Sequence, residues 1–181
     1  MEARLRRWRP EDAAALWDAL RTSPDLETQF GEATPRSDVD SAVFLAAHLG
    51  VSDRAEHWAI VVDGRPVGDV AVSAIEHRHD SGWVSYWLAT GSRGLGLAGR
   101  ALAALADRAF TELGLHRLEL GHRVNNPASC AVARRAGFVA EGVEREKLRY
   151  GDERFDTETH ARLATDPPPA VVPLPFEETR G

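Results

Sequence analysis

Apolar and polar positions follow two periods along this chain, and the change from one to the other marks its elements. Residues 57–62 form an apolar run, and Asp63-Gly64 separates it from a second run at 67–75. Asp-Gly between two such runs is a tight-turn signal, so the runs are predicted to pair as an antiparallel hairpin. Residues 81–89 read as a third strand, rich in aromatics: Trp83, Tyr86 and Trp87. The period then changes. Leu102, Leu105, Ala106, Ala109, Phe110 and Leu113 stand at offsets 0, 3, 4, 7, 8 and 11, which is one face of a helix. Gly114 ends that helix, and residues 115–120 return to strand. Strand, turn, helix and strand in this order predict two parallel neighbours with a helical crossover.

The flanks carry weaker patterns. Residues 5–8 read as a short strand. Pro10-Glu11-Asp12 opens a helix with the apolar stripe Leu16, Trp17 and Leu20, and Pro24 stops it. A loop with Gly31 and Pro35 comes after it. Ser37 or Asp38 caps a second helix, whose Val39, Val43, Phe44 and Ala47 recur at helical spacing before Gly50. Further on, Asn125-Asn126-Pro127-Ala128-Ser129 breaks the pattern. A short helix with Ala131, Val132 and Ala136 comes next, ended by Gly137, and residues 138–141 and 157–163 read as closing strands. The expected fold class is α/β, with a central, mostly antiparallel sheet and one parallel β-turn-α-β unit. Residues 1–165 form a single domain in this reading. Residues 166–181 hold five of the ten prolines and read as a flexible or loosely docked tail.

Composition narrows the function classes. A chain of 181 residues with 43% apolar content suits one domain with a sizeable core. Its net charge of −6, from 22 basic and 28 acidic residues, argues against a nucleic-acid partner and favours a basic one. The single cysteine, Cys130, excludes an internal disulfide framework and fits a reducing compartment. No apolar run approaches the roughly 18 residues that a membrane helix needs. The N-terminus also lacks the apolar core of a signal peptide, so a cytoplasmic location is expected. His77 and His79 read as part of a solvated turn rather than a metal pair, and no metal is expected.

The candidate chemistry sits in Arg93-Gly94-Leu95-Gly96-Leu97-Ala98, between the aromatic strand and the long helix. Glycines there let a ligand approach the main chain, whose N–H groups and helix dipole make an anion seat. An ordinary surface turn is the plainer alternative. Residues 94–99 also fit G-x-G-x-x-G, with Glu119 about 20 residues on, where a dinucleotide fingerprint wants its ribose-binding acid. The context is poor for that fingerprint. About half the chain precedes the turn as hairpin strands, and the residues after it are too few for a doubly wound sheet.

With these residues in view, the chain resembles the GNAT superfamily of acyl-CoA N-acyltransferases, and within it the RimJ/RimL-like branch. Arg93, Gly96 and Ala98 meet the family's Arg/Gln-x-x-Gly-x-Gly/Ala turn. Asn126 and Ser129 meet its Asn-x-x-Ser turn. Ala136, Gly137, Phe138, Glu141 and Gly142 meet its Ala-Gly-Phe-x-x-Glu-Gly element. The resemblance implies that acetyl-CoA lays its pyrophosphate on the N–H groups of residues 93–98. It implies a pantetheine arm held in the gap between diverging strands and a backbone N–H near Leu88 on the thioester oxygen. Asn126 would bind the pantetheine arm or fix the turn. Ser129 would protonate the departing thiolate, cap the following helix, or do both.

The residues also depart from the family pattern. The family's tyrosine acid is replaced by Ala133, and Leu148 stands where related enzymes carry a glutamate base. Glu119, Glu144 and Glu146 are nearby carboxylates, and a water chain serves in some members, so no base is assigned. The implied activity is acetyl transfer to a primary amine, foremost a protein N-terminus as in ribosomal-protein enzymes. Small-molecule amines such as antibiotics or polyamines are the alternative, as is a non-catalytic acyl-CoA-binding module. A homodimer is plausible by the same resemblance.

Overall fold

The computed structural model describes residues 1–177. Strands β1 (Ala3–Arg6), β2 (Val51–Ser52), β3 (Ala55–Val62), β4 (Arg65–Glu76), β5 (Ser81–Leu88), β6 (Arg117–Arg123), β7 (Val139–Tyr150) and β8 (Glu153–Leu163) form one mixed sheet. Its order is β1-β3-β4-β5-β6-β8-β7, with β2 paired beside β3. Every pairing is antiparallel except β5 with β6, so the α/β class and its one parallel unit stand as read from the sequence. The helices are α1 (Ala13–Arg21), α2 (Glu27–Phe30), α3 (Asp38–His48), α4 (Leu97–Thr111) and α5 (Pro127–Arg135).

Strand alternation sends side chains to two cores. Val84, Tyr86 and Leu88 of β5 face α4, whose Leu97, Ala101, Leu102 and Leu105 are fully buried with Ile60, Val72 and Leu118. Trp87 points the other way and joins Leu16 and Leu20 of α1, Leu45 of α3 and Leu49 just past its end. Trp8 stacks on Trp87 at 6.2 Å between ring centroids, and Phe30 meets it edge-on at 5.7 Å. The aromatic strand thus joins both cores and ends between them.

Four local readings are corrected. β1 begins at Ala3 rather than at residue 5. The α1 region starts with a single 3-10 turn at Pro10–Asp12, and Asp12 is buried to receive Arg6 at 2.6 and 2.8 Å rather than merely to face a helix dipole. In α3, Val39, Val43 and Ala47 are exposed, and the face against α1 is Ser41 and Leu45. Ser37 is its cap, accepting from the Asp40 N–H. The closing strands are far longer than 138–141 and 157–163. β7 and β8 form a hairpin turning at Gly151, which has φ +60°.

The proline-rich segment, read as flexible or loosely docked, is packed against the domain as far as residue 177. Leu174 is buried, and Phe176 meets Trp58 edge-on at 4.6 Å. The Leu5 N–H donates to the Pro175 carbonyl, and the Glu177 N–H to the Leu5 carbonyl. The segment therefore lies along β1 and covers that edge of the sheet. Prolines suit such an edge because they add no donors of their own. Residues 178–181 lie outside the described residues.

Candidate active site

β5 and β6 are hydrogen-bonded only over Ser81↔Arg117, Gly82↔Leu118 and Trp83↔Glu119. Beyond Trp83 they separate, while β5 runs on to Leu88 and β6 to Arg123. The resulting cleft has a volume of about 640 Å³ and is walled by residues of both strands, the turn before α4, and α5. That size is ordinary for a small-molecule site.

The register fixes which main-chain groups face the gap. Ala89 donates its N–H to the Val67 carbonyl at 2.8 Å, and Gly68 stands opposite Leu88. Antiparallel partners alternate between bonded and non-bonded pairs. Leu88 therefore turns its N–H and carbonyl away from β4 and toward the gap. Its carbonyl accepts from Arg93 Nε at 3.0 Å, which leaves the N–H as the group presented there. Gly68 permits this closeness, since a Cβ would stand 2.3 Å from the Trp87 carbonyl oxygen and 2.6 Å from Leu88 Cδ2.

At the mouth, Gly94 and Gly96 both have positive φ, +78° and +74°, with open space where a Cβ would be. Gly96 is the N-cap of α4. Among the described residues, no acceptor is bonded to the N–H groups of Gly94, Leu95, Gly96, Leu97, Ala98 or Gly99. Arg93 is the exception within the predicted seat, because its N–H is directed at the Thr90 carbonyl at 3.3 Å. Its guanidinium also pairs with Asp25 at 2.9 Å, which ties the segment before α2 to the turn. Leu97 and Ala98 anchor their side chains in the core, whereas Leu95 points outward. Arg100, Arg123 and Arg135 also line the cleft. Free N–H groups, a helix N-terminus and four arginines are donors and charges that suit a polyanion, within an acidic protein.

On the opposite wall, Asn126 is the N-cap of α5. Its Oδ1 accepts from the Ser129 N–H at 3.1 Å, and its Nδ2 donates to Ser129 Oγ at 3.2 Å. Capping therefore falls to Asn126. Ser129 receives a hydrogen bond at its oxygen and keeps its own proton to give. Tyr86, not singled out for the site from the sequence, lies in the cleft and donates to the Ser129 carbonyl at 3.2 Å. Burial pushes its phenol above the usual range, against the opposing effect of that bond.

The carboxylates considered as bases line no part of this cleft. Glu119 and Glu141 flank Arg117 in a surface ion cluster, which holds Glu141 below its usual range. Glu144 pairs with Lys147, Glu146 sits in a β-bulge at φ +52°, and Leu148 pairs across the hairpin with Phe155. His77 and His79 are exposed in the β4–β5 turn.

A second group of side chains, from three elements, was not visible in the sequence. His122 of β6, Cys130 of α5, and Glu158 and His160 of β8 bring their polar atoms within 4.8 Å of one another beneath α5. Hydrogen bonds from His160 and then Cys130 hold the Glu158 carboxyl below its usual range. Partial burial, with the bond to Glu158, pushes the Cys130 thiol up.

A parallel pair opens into a cleft, and a glycine turn with unbonded N–H groups stands at its mouth. Residues 3–139 match the family model described as an acetyltransferase (GNAT) domain, and the chain belongs to that family. It is similar to the probable N-acetyltransferase YjcK of Bacillus subtilis, 31% identical over 117 residues, covering 63% of this chain and 65% of that protein. It is also similar to the ribosomal-protein-serine acetyltransferase of Escherichia coli, 29% identical over 109 residues, covering 60% and 61%. The chain thus spans less than two thirds of either relative. Among solved structures, Mycobacterium smegmatis RimJ in complex with CoA-disulfide superposes with a TM-score of 0.70 at 28% identity, over 90% of this chain and 82% of that one. These relatives place the chain on the RimJ/RimL-like side of the family. Among the described residues, no helix is long and apolar enough to cross a membrane.

Proposed function

We propose that this protein is an acetyl-CoA-dependent N-acetyltransferase acting on a primary amine, with a protein N-terminus as the leading acceptor. The carrying observation is the Leu88 N–H turned into the opening between β5 and β6, beside the unbonded N–H groups of residues 94–99. The turn fits an acyl-CoA. Its glycines leave the space open, and Arg100 and Arg135 supply charge for phosphates. Gly94, Leu95, Gly96, Leu97 and Ala98 would hold the pyrophosphate, with Arg93 setting the turn's shape. Acetyl-CoA, bound there, supplies the acyl group as a thioester.

The chain's own groups supply the rest. The Leu88 N–H stabilises negative charge developing on the acyl oxygen, the usual contribution of a preorganised main-chain donor. Ser129 Oγ–H is a donor to the departing sulfur, and Asn126 holds it in place. A thiol's pKa is about 8.5, so a weak donor suffices. Tyr86 stays protonated and fixes the Ser129 main chain. The acceptor amine must arrive uncharged, and water carries its proton. The single thiol fits a reducing, cytoplasmic setting. The uncovered edge of β7, where Val139 and Val143 are exposed, would be the contact of a homodimer.

Titration calorimetry with acetyl-CoA, with NAD as the control, tests the seat. Saturable binding of acetyl-CoA alone supports it, and binding of NAD alone overturns it. A screen of N-terminal peptides against polyamines and aminoglycosides, read by CoA release, then tests the acceptor. Turnover of small amines alone overturns the protein reading. Tight binding with no CoA release for any amine overturns the enzyme.

A further inference from the structure

The cluster beneath α5 has the chemistry of a metal centre. The His122 Nδ1–H donates to the Arg123 carbonyl at 3.0 Å, because a carbonyl can only accept. Neutral His122 therefore carries its lone pair on Nε2, which is 3.1 Å from His160 Nε2 and 3.3 Å from a Glu158 oxygen. That same Glu158 oxygen is 2.9 Å from His160 Nε2 and 3.4 Å from Cys130 Sγ. Both histidines are buried, at 7% and 1% exposure. His160 Nδ1 is buried without a partner among the described residues. Two imidazole nitrogens, one carboxylate oxygen and one thiol thus converge on one point.

Their spacing suits a tetrahedral ion. Zinc bonds of about 2.0 Å to nitrogen or oxygen and about 2.3 Å to sulfur require ligand atoms roughly 3.3–3.7 Å apart. The four close separations here run from 2.9 to 3.4 Å, and all pairs lie within 4.8 Å. Small outward movements of side chains complete the geometry. The donor set is that of zinc: imidazole and thiolate select a borderline-soft divalent ion over calcium or magnesium. Charge also closes, since one carboxylate and one thiolate neutralise the ion.

We propose that His122, Cys130, Glu158 and His160 form a structural zinc site that staples α5 to β6 and β8. Such a site departs from the sequence reading, which expected no metal. On binding, bonds form from His122 Nε2, His160 Nε2, Glu158 Oε2 and Cys130 Sγ. The thiol proton is released to solvent, and the proton on His160 Nε2 is exchanged for one on Nδ1. Four protein ligands leave no open position, so the ion holds structure and takes no part in acyl transfer. What it holds is the helix whose first turn carries Asn126 and Ser129, and Cys130 is the next residue after that serine.

The test uses the full chain without a histidine tag, stripped with chelator and titrated with cobalt(II), then with zinc. Saturation at one equivalent is expected, with the intense visible bands of tetrahedral cobalt and a near-ultraviolet thiolate-to-cobalt band that zinc displaces. Cys130→Ser should abolish the thiolate band, and Glu158→Gln should weaken binding by about tenfold or more. Melting by circular dichroism in chelator checks that both variants fold, and Cys130→Ser is mild enough to stand alone if Glu158→Gln does not. A pale octahedral spectrum, no saturation at one equivalent, or a parental spectrum in Cys130→Ser overturns the site and leaves a hydrogen-bonded cluster. The readout needs no acetyl transfer, so it stands or falls separately from the enzyme proposal.

Discussion

Two walls of one cleft are built on opposite principles. The wall before α4 offers its main chain: unbonded N–H groups from consecutive residues, held by glycines at positive φ. The wall at α5 offers side chains, Asn126 and Ser129, with His122, Cys130, Glu158 and His160 behind them on three elements. The first wall depends on backbone shape and space, so most side-chain changes leave it intact and a single added group closes it. The second depends on each functional atom, so even isosteric changes register. Seat and chemistry are thereby separable by mutation.

The largest effect belongs to Gly96→Glu. It forces a non-glycine residue into φ +74° and sets a carboxylate among the donors. Acetyl-CoA affinity should fall by about 100-fold or more, which is at least about 2.7 kcal/mol. Gly96→Ala carries only the left-handed strain of about 1–2 kcal/mol, because nothing lies within 4 Å of its Cβ. Calorimetry on both separates charge from strain. Unchanged affinity in the glutamate variant removes the seat.

Ser129→Ala comes next and probes the other wall. Because Asn126 caps α5, the alanine should leave the melting temperature nearly unchanged. It should lower kcat by about tenfold, with little change in KM for acetyl-CoA, as expected of a donor used only as the bond breaks. Steady-state kinetics beside a thermal melt decides the matter. Normal kcat sinks the proton-donor role.

Asn126→Ala should act through stability first. Losing the cap costs about 1 kcal/mol, and Ser129 loses its partner, so kcat falls less than for the serine variant itself. Its melt and its kcat should both move, whereas Ser129→Ala moves kcat alone. The reverse pattern would return the cap to Ser129.

How far these walls could be read from the chain depends on their construction. The α4 wall was legible because its parts are contiguous: Gly94 and Gly96 sit between an aromatic strand and a helix with a clean apolar period. The His122 cluster was not, because 38 residues separate His122 from His160 and only the β6–β8 register, Leu120↔His160 and His122↔Glu158, brings them together. Most of β7, beyond residue 141, was missed for another reason. As an edge strand it is exposed almost throughout, so no apolar alternation marks it. Its Gly151-Asp152 was nonetheless a hairpin signal like Asp63-Gly64. In α3, periodicity picked valines on a face that meets solvent, while the buried positions include Ser41, which a hydrophobic stripe passes over. For the tail, composition left flexible and loosely docked readings open, since prolines suggest disorder yet also suit a segment lying along β1, as it does up to residue 177.

Leu95→Ala is the smallest change and the sharpest test of the contrast. Leu95 lies in the middle of the proposed seat, yet its side chain is 52% exposed and its N–H has no acceptor among the described residues. Alanine keeps that N–H and adds no bulk, so acetyl-CoA affinity should stay within about twofold, under about 0.5 kcal/mol. A tenfold loss would mean that the turn is read through its side chains, as the α5 wall is. Gly96→Glu would then act by displacing Leu95 rather than by blocking main-chain donors, and the division between the two walls would fail. Retained affinity beside the glycine variant's loss would establish that the donors are the peptide groups themselves.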